Sequence, residues 1–172
     1  MNPLAPRLPS RATKPRSTGL TMVIDGGIPQ QLFADSVSSA AEYIDFVKFG
    51  WGTAIVTGSI RRKIDLLREH GIGFYFGGTL FEKYVTQERF DDYKRFCLEH
   101  GASHVEVSNG TILMSNAEKA SYIRKLADDP NASAGELRRA ALAFLYCSPE
   151  VSRDPRRARQ NPHKIHEPDR RA

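Results

Sequence analysis

Apolar runs of strand length alternate along this chain with segments of helical period, and no other feature constrains the fold as strongly. Strand-like runs occupy residues 20–27, 46–52, 72–79 and 103–110, and helical segments follow them at 36–44, 59–71, 87–101 and 116–127. A repeat of roughly 25–30 residues is typical of parallel βα units. The sequence therefore predicts an α/β fold with a parallel sheet, either a doubly wound sheet or a (β/α)₈ barrel.

The second helical segment has the clearest boundaries. Ser59 is a candidate N-cap, and Gly71 is a candidate stop. Apolar residues recur between them at helical spacing, at Ile60, Ile64 and Leu67. The helix over 59–71 is therefore predicted from its start, its apolar stripe and its end.

Composition places the chain among ordinary globular domains. It has 172 residues, of which 40% are apolar and 26% charged. No apolar run approaches the ~20 residues that span a bilayer, and the N-terminus lacks the apolar core of a signal peptide. We therefore expect a cytoplasmic protein without a membrane partner. The two cysteines, Cys97 and Cys147, have neither zinc nor disulfide-framework spacing.

The formal net charge of +5 is concentrated at the two ends of the chain. Residues 1–20 carry four basic side chains and no acid, and residues 151–172 carry seven basic side chains against three acids. The body, residues 21–150, therefore has a net charge of −3. A nucleic-acid-binding fold would carry its basic residues on the folded surface, so such a partner is not expected.

Each strand-like run ends in small residues and carries polar groups there. These polar groups are Asp25, Lys48, Thr79 followed by Glu82, then Glu106 and Ser108. Because the carboxyl ends of parallel strands lie side by side, we expect Asp25, Lys48, Glu82 and Glu106 to converge. Burying the charge of Lys48 in an apolar run costs free energy unless acids compensate it. The acids at the neighbouring strand ends are predicted to do so.

Two interpretations of these strand ends stay open. A lysine among carboxylates can be an ion pair that only closes the mouth of a barrel, and glycine pairs can serve only backbone geometry. Four polar strand ends in succession favour a binding or catalytic site over that structural explanation.

Four segments carry a family resemblance, in order and at similar separations. They are LPSRATKPRSTGLTMVIDGG, YIDFVKFGWGTA, KIDLLREHGIGFYFGGTLFE and HVEVSNGTI, within residues 8–128. They resemble the phosphosulfolactate synthase family, which also includes heat-stress-associated relatives. The resemblance implies a (β/α)₈ barrel that adds sulfite to phosphoenolpyruvate with Mg²⁺, forming phosphosulfolactate for coenzyme M synthesis.

The resemblance also implies roles for particular residues. Lys48, Glu82 and Glu106 would be catalytic, with Lys48 binding an anion or donating a proton, and Asp25, Glu82 and Glu106 would surround Mg²⁺. The substrate-binding residues would be Lys14, Arg16, Gly50, Gly52, Thr53, Gly77, Gly78, Thr79 and Ser108. Lys14 and Arg16 could close over the strand ends, or they could be solvated charges.

The chain shows fewer βα units than the family's barrel requires. Four are clear, and a complete barrel takes at least ~200 residues. We expect a basic arm over 1–18, a partial barrel of four to five units over 19–150, and a basic, disordered tail over 151–172. Residues 134–146 favour a helix, whereas a weak match at SPEVSRDP (148–155) would instead make 141–147 a fifth strand.

Three functions follow from these features. The first is a phosphosulfolactate synthase-like lyase acting on small anions, with a homo-oligomer completing the barrel and covering its strand edges. The second is an inactive family member that binds anions or acts in stress protection. The third is weak binding of nucleic acid or an acidic partner by the basic ends.

Overall fold

The computed structural model of the chain describes residues 11–128, which form an α/β unit. Its strands are β1 (Met22–Asp25), β2 (Phe46–Phe49), β3 (Gly73–Phe76) and β4 (His104–Val105). Its α-helices are α1 (Gln30–Ala40), α2 (Ile60–Glu69), α3 (Gly78–Val85), α4 (Phe90–Glu99) and α5 (Asn116–Ala127), and a short 3₁₀ turn spans Thr53–Ile55. The expectations for residues 129–172, including the helix or strand near 134–147 and the tail, lie outside the described residues, as do residues 1–10 of the arm.

The four strands form one parallel sheet in the order β1-β2-β3-β4, which confirms the predicted α/β class. Its register aligns Ile24 with Lys48, and Lys48 with Tyr75. Because side chains alternate along a strand, these aligned residues share one face of the sheet, while Phe49 and Phe76 share the other.

The hydrophobic core lies on the Phe49 and Phe76 face, between the sheet and the helices. The strands contribute Val47, Phe49, Phe74, Phe76 and Val105, and the helices add, among others, Phe33, Val37, Ile64, Leu67, Leu80, Phe81, Tyr93 and Cys97. Burying each large apolar side chain contributes roughly 1.5–3 kcal/mol, so this layer is the main stabilising element. On the opposite face Met22 and Ile24 are 39% and 47% exposed.

Two helices differ from the prediction. Helix α1 begins at Gln30 rather than at 36 and ends at Ala40 rather than at 44. Pro29 stands at its N-cap with φ −55°, and its carbonyl accepts the first helical bond, from Phe33 N at 3.0 Å. Helix α3 was not predicted, because the glycine pair that ends the third strand also provides its N-cap, Gly77, and its first residue, Gly78.

The predicted helix stop at Gly71 is confirmed, and Gly101 ends the fourth helix in the same way. Gly71 follows α2 with φ +60°, and Gly101 follows α4 with φ +65°. Glycine adopts this left-handed conformation without steric cost, and the chain can therefore turn directly into the next strand. Ser59 occupies the N-cap position of α2, but its side chain makes no capping hydrogen bond. Among the described residues, no helix is long and apolar enough to cross a membrane.

Candidate active site

Lys48 and Glu106 form an ion pair that joins β2 to the end of β4. Lys48 Nζ donates a hydrogen bond to Glu106 Oε1 at 3.0 Å and lies 2.7 Å from Oε2. Both side chains are mostly buried, with 22% and 11% exposed. The contact with Oε2 is electrostatic only, because that buried oxygen accepts no hydrogen bond within the described part of the chain. The lysine in the apolar strand is thus compensated by an acid from another strand, as predicted.

Tyr75 lies on the same face of the sheet as this pair. It is aligned with Lys48 in the register, and its hydroxyl contacts the sulfur of Met22. Burial raises the pKa of Tyr75, and the negative charge of Glu106 raises it further. Tyr75 is therefore a neutral phenol at physiological pH and adds no charge to this face of the sheet.

Gly77 and Gly78 leave the space that the pair occupies. A Cβ on Gly77 would stand 2.9 Å from Lys48 Cε, and one on Gly78 would stand 3.1 Å from Glu106 Oε1 and collide with Ser108. The glycine pair predicted at the end of the third strand is therefore required for close packing. These contacts place Gly77, Gly78 and Ser108 beside Lys48 and Glu106.

Glu82 holds the loop that follows β4. This buried carboxylate on α3 accepts hydrogen bonds from Gly110 N at 2.7 Å and from Thr111 N at 2.8 Å. It also accepts short hydrogen bonds from the hydroxyls of Ser108 and Thr111. Four donors occupy its two oxygens, so Glu82 fixes the position of Ser108 next to Glu106.

The structure does not bring Asp25 to this group, so the expected convergence of all four residues is wrong for Asp25. Asp25 aligns with Phe49 in the register, and its side chain therefore lies on the core face. Its Oδ2 is 2.6 Å from Lys63 Nζ of α2, and its Oδ1 accepts from Gly27 N and Ile28 N at 2.9 and 3.0 Å. In this structure Asp25 orders the turn after β1.

Lys14 and Arg16 lie at the opposite end of the strands, so they do not close over the carboxyl ends. Arg16 Nη1 is 2.8 Å from Asp45, which immediately precedes β2, and Lys14 Nζ donates to the carbonyls of Ala41 and His70. These contacts fasten the N-terminal arm across the amino end of the sheet. The alternative of solvated charges is also wrong for Arg16, whose side chain is buried.

The turn that follows β2 carries backbone donors and begins two residues after Lys48. Trp51 and Gly52 have φ +52° and +73°, and Thr53 N donates to Gly50 O at 3.0 Å across the turn. The N–H groups of Trp51 and Gly52 donate to no acceptor within residues 11–128. The first N–H groups of α3, at Gly78 and Thr79, are also free of intrahelical acceptors. These donors and Lys48 make the carboxyl end of the sheet suitable for binding an anion.

The three carboxylates predicted as Mg²⁺ ligands do not form one cluster. Residues 11–128 contain no group of three or more Asp, Glu, His or Cys side chains that could hold a metal ion. Asp25 and Glu82 are committed to the hydrogen bonds described above. Glu106 retains an oxygen without a hydrogen bond. Mg²⁺ is often held by one or two carboxylates together with water and substrate oxygens. At Glu106 it would have to displace Lys48 Nζ, which lies 2.7 Å from the buried Oε2.

A groove of about 890 Å³ lies elsewhere, between α4, α5 and the end of α3, and Phe90 and Tyr122 are among the residues that line it. It contains none of the predicted site residues. We therefore place the candidate site at the carboxyl ends of the strands, where the buried ion pair and the free donors meet.

Two buried polar residues, Lys63 and Tyr75, were not predicted from the sequence to have a partner or a role. Lys63 is fully buried against Asp25, but in the sequence it is one of three consecutive basic residues of an amphipathic helix. Its position four residues before Leu67, on the apolar stripe of the helix, was the available signal. Tyr75 sits between two phenylalanines, and only the alternation of strand side chains separates it from the core.

Comparison with known proteins identifies the family. The family model described as (2R)-phospho-3-sulfolactate synthase matches residues 9–138. The phosphosulfolactate synthase of Bacillus subtilis is 50% identical over 129 residues, which is 75% of this chain and 51% of that protein. Those of Methanocaldococcus jannaschii and Methanothermobacter thermautotrophicus are 38% and 31% identical, over 64% and 88% of this chain and 45% and 54% of their own lengths. The chain spans about half the length of these relatives, and it belongs to the phosphosulfolactate synthase family.

Proposed function

We propose that this chain supplies part of a site that adds sulfite to phosphoenolpyruvate, giving (2R)-phospho-3-sulfolactate. The observation that carries the proposal is the Lys48–Glu106 pair, buried at the carboxyl ends of the strands beside free backbone donors. Family membership supports the reaction, and the site supports the substrate class, because both substrates are small anions.

We also propose that the sheet is one part of a (β/α)₈ barrel. The core contacts of the described helices lie on the Phe49 and Phe76 face of the sheet. On the other face Met22 and Ile24 of the edge strand β1 are exposed, as is Val23 of the same strand on the core face. A doubly wound sheet would carry helices on both faces, but a barrel segment carries them on one. A second copy of the chain would then supply the remaining strands.

The chemistry requires a cation near the substrate and a proton at one carbon. The sulfur lone pair of sulfite forms a bond to the methylene carbon of phosphoenolpyruvate, while the carbon–carbon π pair moves to the phosphate-bearing carbon and into the carboxylate. A proton then adds to that carbon. Lys48 Nζ can hold the carboxylate during attack, and it carries a proton that can be delivered afterwards.

The neighbouring groups would position the substrate. Glu106 orients the Lys48 ammonium through both of its oxygens, and the donors at Trp51, Gly52, Gly78 and Thr79 can hold phosphate or sulfite oxygens. Bound Mg²⁺ would share Glu106 with Lys48, whose Nζ lies 2.7 Å from Oε2, and would supply positive charge to the substrate carboxylate. Glu82 would act on Ser108 and the loop after β4 rather than on the reacting atoms.

The test is to incubate the full chain with phosphoenolpyruvate, sulfite and Mg²⁺ and to follow ³¹P resonances by NMR, with an EDTA-treated control. We expect a phosphosulfolactate resonance that depends on Mg²⁺. Lys48→Met and Glu106→Gln should reduce its rate at least about 100-fold. Lys83→Met removes an exposed lysine of α3 and is the matched control. Unchanged turnover in Lys48→Met would contradict the assignment of Lys48.

A second candidate is anion binding without turnover, as in an inactive family member. The free donors and Lys48 also favour this function, because they need no reaction to hold an oxyanion. A folded sample that binds phosphoenolpyruvate in calorimetry but forms no product would support this candidate. Size-exclusion chromatography with light scattering on the same sample tests whether a second copy completes the barrel.

A further inference from the structure

Trp51 occupies a backbone conformation that a bulky residue rarely adopts. Its φ of +52° and the φ of +73° at Gly52 put both central residues of the turn in the left-handed region. Thr53 N closes the turn on Gly50 O at 3.0 Å. Glycine would fit at position 51 without strain, as it does on either side. Strain of this kind at a non-glycine residue points to a role for its side chain.

The indole is exposed, and the turn after β1 supports it. Trp51, the single tryptophan of the chain, is 67% exposed, although large apolar side chains are usually buried. Its ring rests on Gly26, where a Cβ would stand 2.8 Å from ring atom Cζ3. The neighbouring Gly27 is held by Asp25 through a 2.9 Å hydrogen bond. A strained backbone opposes folding, and a ring that stays 67% exposed gains little from burial, so stability does not explain why a tryptophan stands here.

The position of the turn relates Trp51 to the candidate site. Gly50 Cα lies 3.4 Å from where a Cβ of Gly77 would stand, and Gly77 packs against Lys48. The turn therefore lies at the carboxyl end of the sheet, between the β1 turn and the start of α3. Its two central N–H groups are free of acceptors among the described residues, so the turn presents backbone donors and an indole together.

We propose that Trp51 is a substrate-contacting residue that selects a planar, unsaturated anion. An indole offers an apolar face to a flat carbon skeleton and an Nε1–H donor to an oxyanion. The turn amides would donate hydrogen bonds to the oxyanion groups, and Lys48, although paired with Glu106, would add a further donor. The choice of phosphoenolpyruvate as ligand rests on the proposed function, whereas the contact itself does not require turnover.

The experiment uses the single tryptophan as the reporter. The full chain is titrated with phosphoenolpyruvate, with its saturated analogue 2-phospholactate and with inorganic phosphate, while indole fluorescence is recorded and calorimetry measures the Kd. We expect a saturable fluorescence change with phosphoenolpyruvate and weaker binding of the other two. In Trp51→Ala the Kd for phosphoenolpyruvate should rise about tenfold and the preference over 2-phospholactate should disappear.

Two further variants separate contact from structure. Trp51→Phe combined with Tyr43→Trp moves the reporter to an exposed position at the amino end of the sheet, and its fluorescence should not respond to ligand. Trp51→Gly relieves the strained φ, so its urea midpoint should equal or exceed that of the parent chain while binding weakens. A lower midpoint would make the ring structural and would overturn the proposal.

The outcomes distinguish this inference from the proposed function. Turnover with an unchanged Kd in Trp51→Ala overturns the inference alone. Binding that Trp51→Ala weakens, without any product, supports the inference and removes the proposed reaction. No binding of phosphoenolpyruvate by the parent chain in calorimetry overturns both.

Discussion

Replacing Lys63 by methionine should strongly destabilise the fold, because it leaves the buried carboxylate of Asp25 without its cation. Lys63 and Asp25 are 0% and 2% exposed, and their charged atoms are 2.6 Å apart. Lys63 also donates to Ile28 O at 2.7 Å and lies 4.8 Å from the ring centre of Phe33. Breaking one side of such a pair typically costs about 3–5 kcal/mol.

The structure favours the lower end of that range. In Lys63→Met the Oδ1 atom of Asp25 keeps its hydrogen bonds from Gly27 N and Ile28 N, so its charge stays partly compensated. We therefore expect a loss of about 3 kcal/mol from a stability of roughly 5–15 kcal/mol. With a urea m-value of about 2 kcal/mol/M, the midpoint should fall by about 1.5 M.

Urea unfolding followed by circular dichroism measures this loss, and a double-mutant cycle isolates the pair. Asp25→Asn combined with Lys63→Met removes both charges, so it should be less destabilised than the sum of the single variants by at least about 1 kcal/mol. Lys83→Met, at an exposed position, should stay within about 0.5 kcal/mol of the parent chain. A cost below about 1 kcal/mol for Lys63→Met would refute the view that this buried pair needs both partners.

Two further predictions concern the arm and the glycine pair. Burial acts to raise the pKa of Asp45, but hydrogen bonds from Thr21 N and from Arg16 outweigh it and hold this pKa below its ordinary value. The stability that this pKa difference provides is present above the unfolded pKa of about 4 and is lost as the pH falls through the lower folded pKa. At pH values below about 4 the urea midpoint of the parent chain should therefore decrease, and that of Asp45→Asn should decrease less. Gly78→Ala should cost about 1–3 kcal/mol in urea unfolding, because its Cβ collides with Ser108, whereas Gly58→Ala, which faces open space, should cost nothing. Equal midpoints for the two alanine variants would contradict the packing role of Gly78.

The local pattern of the sequence determined the class of fold. Strand-length apolar runs alternate with helical segments, and the parallel sheet follows from that alternation. The stops at Gly71 and Gly101 were also predictable, since a helix followed at once by a strand requires a residue that tolerates positive φ. The sequence also predicted that Lys48 needs an acidic partner, because an uncompensated charge in a buried strand is costly.

Only the tertiary structure decided which acid that partner is and where the remaining charges lie. The register places Asp25 opposite Phe49 and so turns it toward Lys63, whereas Lys48 shares its face with Glu106. A shift of one residue would have reversed this assignment, and register is set by packing between segments distant in sequence. The arm cations Lys14 and Arg16 lie at the amino end of the sheet for a similar reason, because the buried Asp45 and the last carbonyls of α1 and α2 are there to receive them.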